Sequence, residues 1–128
     1  MSALTTTLES RITDALKLYQ ATGGTDAVKE TVTDLFNLDE TAGYTLANHA
    51  LARMMQAHID IRNARDAGDL YAWVSPRFAA VAFEGVFEAC VGVWLANGVP
   101  ADPTTLRPSV ERFVRSQVRM FAAIIGDH

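Results

Sequence analysis

Residues 78–96 form a long apolar stretch with two glutamates, and this stretch restricts the fold more than any other part of the chain. Small residues recur inside it at intervals of three and four: Ala82, Gly85, Ala89 and Gly92. That spacing places them on one side of an α-helix, where another backbone can approach closely. A second side carries the bulky residues Phe83, Phe87, Cys90 and Trp94. The first side therefore serves either the core of the chain itself or a subunit interface.

The remaining periodicity is also helical, and no alternation of apolar and polar residues is long enough for a sheet. Capping signals occur at Thr6 with Glu9, at Asp39, and at Ser75 before Pro76. The pattern predicts five helices, over Thr6 to Thr22, Asp26 to Phe36, Asp39 to Ala67, Pro76 to Ala96, and Pro108 to Ile125. We predict one all-α, bundle-like domain over residues 1–128 that forms a homodimer through its last two long helices.

Composition restricts the partners and the compartment. The 128 residues carry a formal charge of −4, which repels phosphate, so direct nucleic-acid binding is not expected. Cys90 is the only cysteine, and the first seven residues lack the pattern of a secretory signal, so we predict a cytoplasmic protein. Glu84 and Glu88 interrupt the apolar stretch at a cost of about 2 kcal/mol or more each inside a bilayer, so no membrane span is predicted.

The two glutamates lie one helical turn apart, a spacing that can hold a metal ion. No Glu-x-x-His pair accompanies them, so we predict no metal site. A basic stripe on the last predicted helix offers a better partner for them: Arg112, Arg115 and Arg119. Pairing within one chain or across a two-fold axis would fix the register of the two helices more than it would stabilise them. A solvated charged face is the alternative for the arginines.

Methionines, aromatic residues and a histidine collect on the third predicted helix, the connector after it and the start of the fourth. They are Met54, His58, Tyr71, Trp73, Phe78 and Phe83. Such residues line apolar small-molecule pockets, and they also fill ordinary cores, so both interpretations stand. No motif of a nucleophile, a phosphate-binding glycine loop or a dinucleotide site is present. We therefore predict no cofactor and no enzymatic activity, and an enzyme with catalytic residues scattered along the chain stays a third hypothesis.

The second half of the chain resembles a known family. The resemblance rests on three segments: the helix ending in Trp94-Leu-Ala-Asn-Gly98, the loop Pro100-Ala-Asp-Pro103, and residues 106–126 with Arg112-Phe113. Residues 76–126 are similar to the last two helices of the ligand-binding and dimerisation domain of TetR-family transcriptional regulators. The resemblance implies a four-helix dimer interface and a small-molecule pocket among the preceding helices. The implied interface residues are Ala82, Gly85, Glu88, Ala89, Gly92, Arg112, Arg115 and Arg119.

The chain departs from that family at its start, where a DNA-binding helix-turn-helix is expected. Residues 37–50 would enter the groove, yet they contain Asp39 and Glu40 and no lysine or arginine. The leading hypothesis is a TetR-type regulatory domain without its DNA-binding segment, which dimerises and binds an apolar effector. The alternative is a small helical interaction protein whose core is filled by its own side chains.

Overall fold

The computed structural model describes residues 3–22, 49–102 and 104–126. Four helices make up most of these residues: α1 (Ala3–Thr22), α2 (His49–Asp66), α3 (Pro76–Asn97) and α4 (Pro108–Ile125). No strand occurs in this part of the chain. The all-α prediction is therefore confirmed, and helices α3 and α4 correspond to the fourth and fifth helices that the sequence predicts.

The ends of α3 and α4 follow the local signals. The Ser75 hydroxyl accepts a hydrogen bond from the Phe78 N–H at 3.0 Å, and Pro76 occupies the first helical turn. Gly126 follows α4 with a φ of 99°, in the left-handed region that ends helices without steric cost in glycine. Gly68 has a φ of 83° just after α2 and ends that helix close to the predicted position.

Two predicted helix starts have different outcomes. Helix α1 begins at Ala3, so Thr6 lies inside the helix and the predicted cap at Thr6 is wrong. The extra turn forms because Leu4 packs against the core and Thr5 is buried. The predicted helix over Asp26 to Phe36 and the predicted cap at Asp39 lie outside the described residues.

The core lies between α1, α2, α3 and α4. Helix α1 packs on α2 and α4, and α3 packs on α2 and α4. The side of α3 that the sequence predicts to be bulky is buried, namely Phe83, Phe87, Cys90 and Trp94, and so are Leu8, Ile12, Leu16 and Tyr19, which recur at threes and fours on α1. Helix α2 is contacted from two directions, by α1 and α3.

Polar contacts fix the relative positions of these helices. The Arg11 guanidinium donates to the Asp60 carboxylate at 3.0 Å and joins α1 to α2. In the interior, the Trp94 indole N–H donates to the Gln20 side-chain oxygen at 2.8 Å. The Gln20 amide then donates to the Thr105 carbonyl at 2.7 Å. Because a buried amide must find partners, this chain of bonds sets the position of α3 and its following loop against α1.

Helix α3 is long and apolar enough, by length and composition, to cross a membrane, and it is the one such helix among the described residues. Core helices pass the same test. Its Phe83, Phe87 and Trp94 are buried against the other helices, and 39% of its most apolar window is buried in the fold.

Candidate functional site

The small residues of α3 face solvent or lie at its edge, away from the core. Gly85 and Gly92 are exposed, while Ala82 and Ala89 are half-buried. A Cβ atom added at either glycine would have no neighbour within 4 Å in the described part of the chain. We call these four residues the small-residue face. Ala82 packs on the edge of the core, but in the described part of the chain nothing lies close to the two glycines of this face.

An exposed aromatic group adjoins the first turn of α3. The rings of Tyr71 and Trp73 stack with centroids 6.4 Å apart, and Trp73 meets Phe78 edge to face at 5.2 Å. All three side chains are between 40% and 61% exposed. We call these three residues the aromatic cluster. Phe78 stands one turn before Ala82, so the cluster continues the small-residue face toward the start of α3.

The C-terminal end of α4 meets the connector that carries this cluster. The Tyr71 N–H donates to the Ile125 carbonyl at 2.9 Å. A Cβ at Gly126 would come within 2.8 Å of the Tyr71 ring, so only glycine permits this contact. The connector, the start of α3 and the end of α4 therefore form one end of the protein.

The two flanks of α4 differ in character. A depression of about 240 Å³ is lined by residues of α1 and α4: Glu9, Thr13, Glu111, Val114 and Arg115. Arg115 thus marks the flank of α4 that faces α1. At 100° per residue, Met120 and Ile124 lie on the other flank, beside α3, and both are exposed. We call Met120 and Ile124 the apolar flank of α4.

Most of the exposed bulky apolar residues lie toward the end of the protein where α3 begins and α4 ends. In the described part of the chain they are Tyr71, Trp73, Phe78, Val81, Met120 and Ile124, with Val99 alone at the opposite end of α3. Sequence reasoning missed Val81, Met120 and Ile124. The available signal was that each is a large apolar residue outside the buried stripe of its own helix.

The residues predicted to line a ligand pocket divide into two groups. Met54 and Phe83 are fully buried, and the His58 ring packs edge to face on Phe83 at 6.2 Å. Tyr71, Trp73 and Phe78 are on the surface. An open depression of about 430 Å³ has Phe78 in its lining, together with Ser75, Arg77, Val81 and Ala82. The structure does not bring all six residues around this depression, and ligand binding stays a prediction.

The predicted interface charges are placed differently from one another. Glu84 is buried, whereas Glu88, Arg112, Arg115 and Arg119 are exposed. The ion pairs found among the described residues include none of these five side chains, although α3 packs on α4. Pairing of the glutamates with the arginines within one chain is therefore not formed. Pairing across a two-fold axis stays a prediction.

Two buried titratable groups lie on α3. Glu84 is 6% exposed, and burial raises the pKa of its carboxyl to about 7. Burial also raises the pKa of the Cys90 thiol to about 12, so this thiol stays protonated at neutral pH and is a poor nucleophile. Within the described residues no three His, Cys, Asp or Glu side chains are placed to hold a metal ion.

Known proteins offer no guide to this surface: no protein-family model matches the chain, and no curated protein or solved structure matches it significantly. The function is therefore argued from the surface itself.

Proposed function

We propose that this chain is a helical dimerisation module that resembles the regulatory domain of TetR-family proteins. Two copies pair through the small-residue face of α3 and the adjacent side of α4. The observation that carries the proposal is the open face around Gly85 and Gly92, which nothing in the described part of the chain covers.

The energetics of glycine support this proposal. Gly85 and Gly92 lie inside a 22-residue helix, where each glycine costs about 1 kcal/mol relative to alanine. Neither glycine has a positive φ; the described glycines with positive φ are Gly68, Gly98 and Gly126. The backbone conformation therefore does not require glycine at these positions. Close approach of a second helix does benefit from it.

Charge complementarity supports a partner that is a second copy. Glu88 and Arg119 are both exposed, carry opposite charges and take part in none of the ion pairs described above. Under the proposal, Glu88 of one copy lies opposite Arg112 or Arg119 of the other. Arg115 instead lies on the flank of α4 that faces α1. A two-fold axis repeats each such pair, so the same few residues set the register twice.

The proposal predicts that Gly85→Leu dissociates the dimer without harming the fold. The wild-type protein is expected at about twice 13.9 kDa by light scattering at micromolar concentration. A Cβ at position 85 meets no atom within 4 Å among the described residues, whereas a leucine side chain there blocks the approach of a second helix, so the dimer dissociation constant should rise at least about tenfold. The thermal midpoint of the single copy should rise, because leucine favours the helix more than glycine does.

A matched control adds the same bulk elsewhere. Ala21 is exposed on α1 and lies outside the small-residue face, so Ala21→Leu should leave the mass unchanged. A wild-type protein that remains at 13.9 kDa across this concentration range would refute the dimer. A Gly85→Leu protein that is less stable as a single copy would show that its own chain covers the face.

A second candidate function is the binding of an apolar effector. The depression of about 430 Å³ beside Phe78 falls within the usual range for ligand sites of about 300–1,000 Å³. Phe78, Val81 and Ala82 supply apolar walls, and the Arg77 guanidinium supplies a cation. This combination suits an amphiphilic anion with an apolar body and one negative group.

The test of this second candidate uses 8-anilinonaphthalene-1-sulfonate, an apolar anion with fluorescence that rises in apolar surroundings. We expect saturable binding of one probe per chain, weakened at least about fivefold by Arg77→Gln and by Phe78→Ala. Arg107→Gln is the control, since Arg107 lies at the other end of α3 and donates to the Gly98 carbonyl. Equal binding by all four proteins would remove the depression as a site.

A further inference from the structure

We infer that the aromatic cluster and the apolar flank of α4 anchor the contact between two copies of this chain at one end of the interface, with Trp73, the most exposed of the three rings, as the main anchor. The inference rests on the proposed function and extends it from the small-residue face to the end of the protein. It reassigns Tyr71, Trp73 and Phe78 from the predicted ligand pocket to a protein contact.

The area needed for a stable dimer requires such an extension. Helix α3 has 22 residues and is about 33 Å long, so a stripe about 10 Å wide along it covers roughly 330 Å². A stable interface buries about 800 Å² on each partner. The exposed side of α4 roughly doubles the stripe, and the aromatic cluster adds the rest, since a buried aromatic side chain contributes about 150–250 Å².

The surface is complementary to itself. Gly85 and Gly92 place no side chain on the exposed side of α3, while the large side chains of Met120 and Ile124 are exposed on the neighbouring α4. A two-fold axis can set the large side chains of one copy against the glycines of the other and repeats the contact in reverse. The occupant that this argument favours is therefore a second copy of the chain.

The chemistry of the cluster suits a protein partner. Tryptophan and tyrosine are the residues most enriched among those that dominate binding energy at protein interfaces. The contacts among Tyr71, Trp73 and Phe78 hold the rings in place before association, which lowers the entropy cost of binding. The charges near the cluster balance, because Arg65 pairs with Asp66 and the exposed Arg77 offsets Asp69, so the described residues here form no basic patch to attract an anionic membrane.

Tryptophan fluorescence offers a direct test. The chain has two tryptophans, with Trp73 61% exposed and Trp94 2% exposed in a single copy. Acrylamide quenching of the wild-type protein should therefore be weak at concentrations where dimers prevail and should rise at least about twofold on dilution. Trp73→Phe retains an aromatic ring and leaves only buried Trp94, so its quenching should stay low at every concentration.

Affinity gives the second readout. Trp73→Ala should raise the dimer dissociation constant at least about 30-fold, as expected for a large aromatic anchor at a protein interface. Trp73→Phe should recover most of that affinity. Val99→Ala removes an exposed apolar side chain at the opposite end of α3 and should leave the constant unchanged. Circular dichroism checks that each variant remains helical.

The outcomes separate this inference from the proposed function. One outcome overturns the inference and leaves the proposed function standing. In it, Gly85→Leu dissociates the wild-type dimer, but acrylamide still quenches Trp73 in the dimer and Trp73→Ala dimerises with wild-type affinity. A monomer at all concentrations overturns both. A monomer in which Trp73 becomes shielded only on adding phosphatidylglycerol vesicles or 8-anilinonaphthalene-1-sulfonate also overturns the inference, in favour of a lipid surface or a ligand.

Discussion

Replacing Phe83 with alanine is expected to lower the free energy of unfolding by about 3–5 kcal/mol, the usual cost of truncating a buried phenylalanine. Phe83 is fully buried on α3 and contacts rings from two other helices. The centroid of the Phe83 ring lies 6.2 Å from that of the His58 ring on α2 and 5.3 Å from that of the Phe121 ring on α4. The truncation therefore removes the contacts of α3 with both α2 and α4 and leaves a cavity between the three helices.

Urea denaturation followed by circular dichroism measures this loss. The control is Phe78→Ala, the same change at an exposed position of the same helix, studied at a protein concentration where single copies prevail. Its loss should stay near 1 kcal/mol or below, because little apolar surface leaves water there on folding. A Phe83→Ala loss as small as that of the control would mean that Phe83 lines a space able to collapse or already open, as the pocket prediction required.

Local sequence signals determined the parts of the fold that were predicted well. Ser75 with Pro76 and Gly126 set helix ends through backbone geometry, which depends on neighbouring residues alone. The stripe from Leu8 to Tyr19 is buried because its spacing matches the helix period and one face must leave water. The start of α1 was missed because Leu4 and Thr5 are ordered by packing against the core rather than by a cap.

The candidate site was less predictable, since it depends on which face of each helix remains uncovered. The sequence identifies the small-residue face, because helical periodicity shows which residues share one side of a helix. Periodicity does not show which element packs on that side, so the exposure of Gly85 could not be predicted. Tyr71 and Trp73 lie in a connector without a repeating pattern, so nothing local indicated that they point outward. Met120 and Ile124 are exposed because α1 packs on the other flank of α4, beside Arg115. That arrangement depends on tertiary packing, which the local sequence does not reveal.

Glu84 provides a test of burial by pH. Its carboxyl has an ordinary pKa of 4.5 when unfolded and about 7 in the fold, where burial disfavours the charged form. Between these values the unfolded chain has released the proton that the folded chain still holds. The unfolded state binds fewer protons there, so the free energy of unfolding falls as pH rises from about 4.5 to about 7. The total loss reaches at most about 3 kcal/mol at 1.36 kcal/mol per pH unit.

Glu84→Gln removes this ionisation while keeping the size of the side chain and its capacity to donate a hydrogen bond. Urea denaturation between pH 4.5 and 8 should show the two proteins nearly equal at the acid end. The variant should become more stable by up to about 3 kcal/mol at pH 8. Glu88→Gln is the control, because it removes one carboxylate at an exposed position one turn further along α3 and so separates the effect of burial from the loss of a charge. A Glu84→Gln difference that is constant with pH would mean that the Glu84 carboxyl reaches solvent or a counter-charge, and that α3 is covered less tightly on this side.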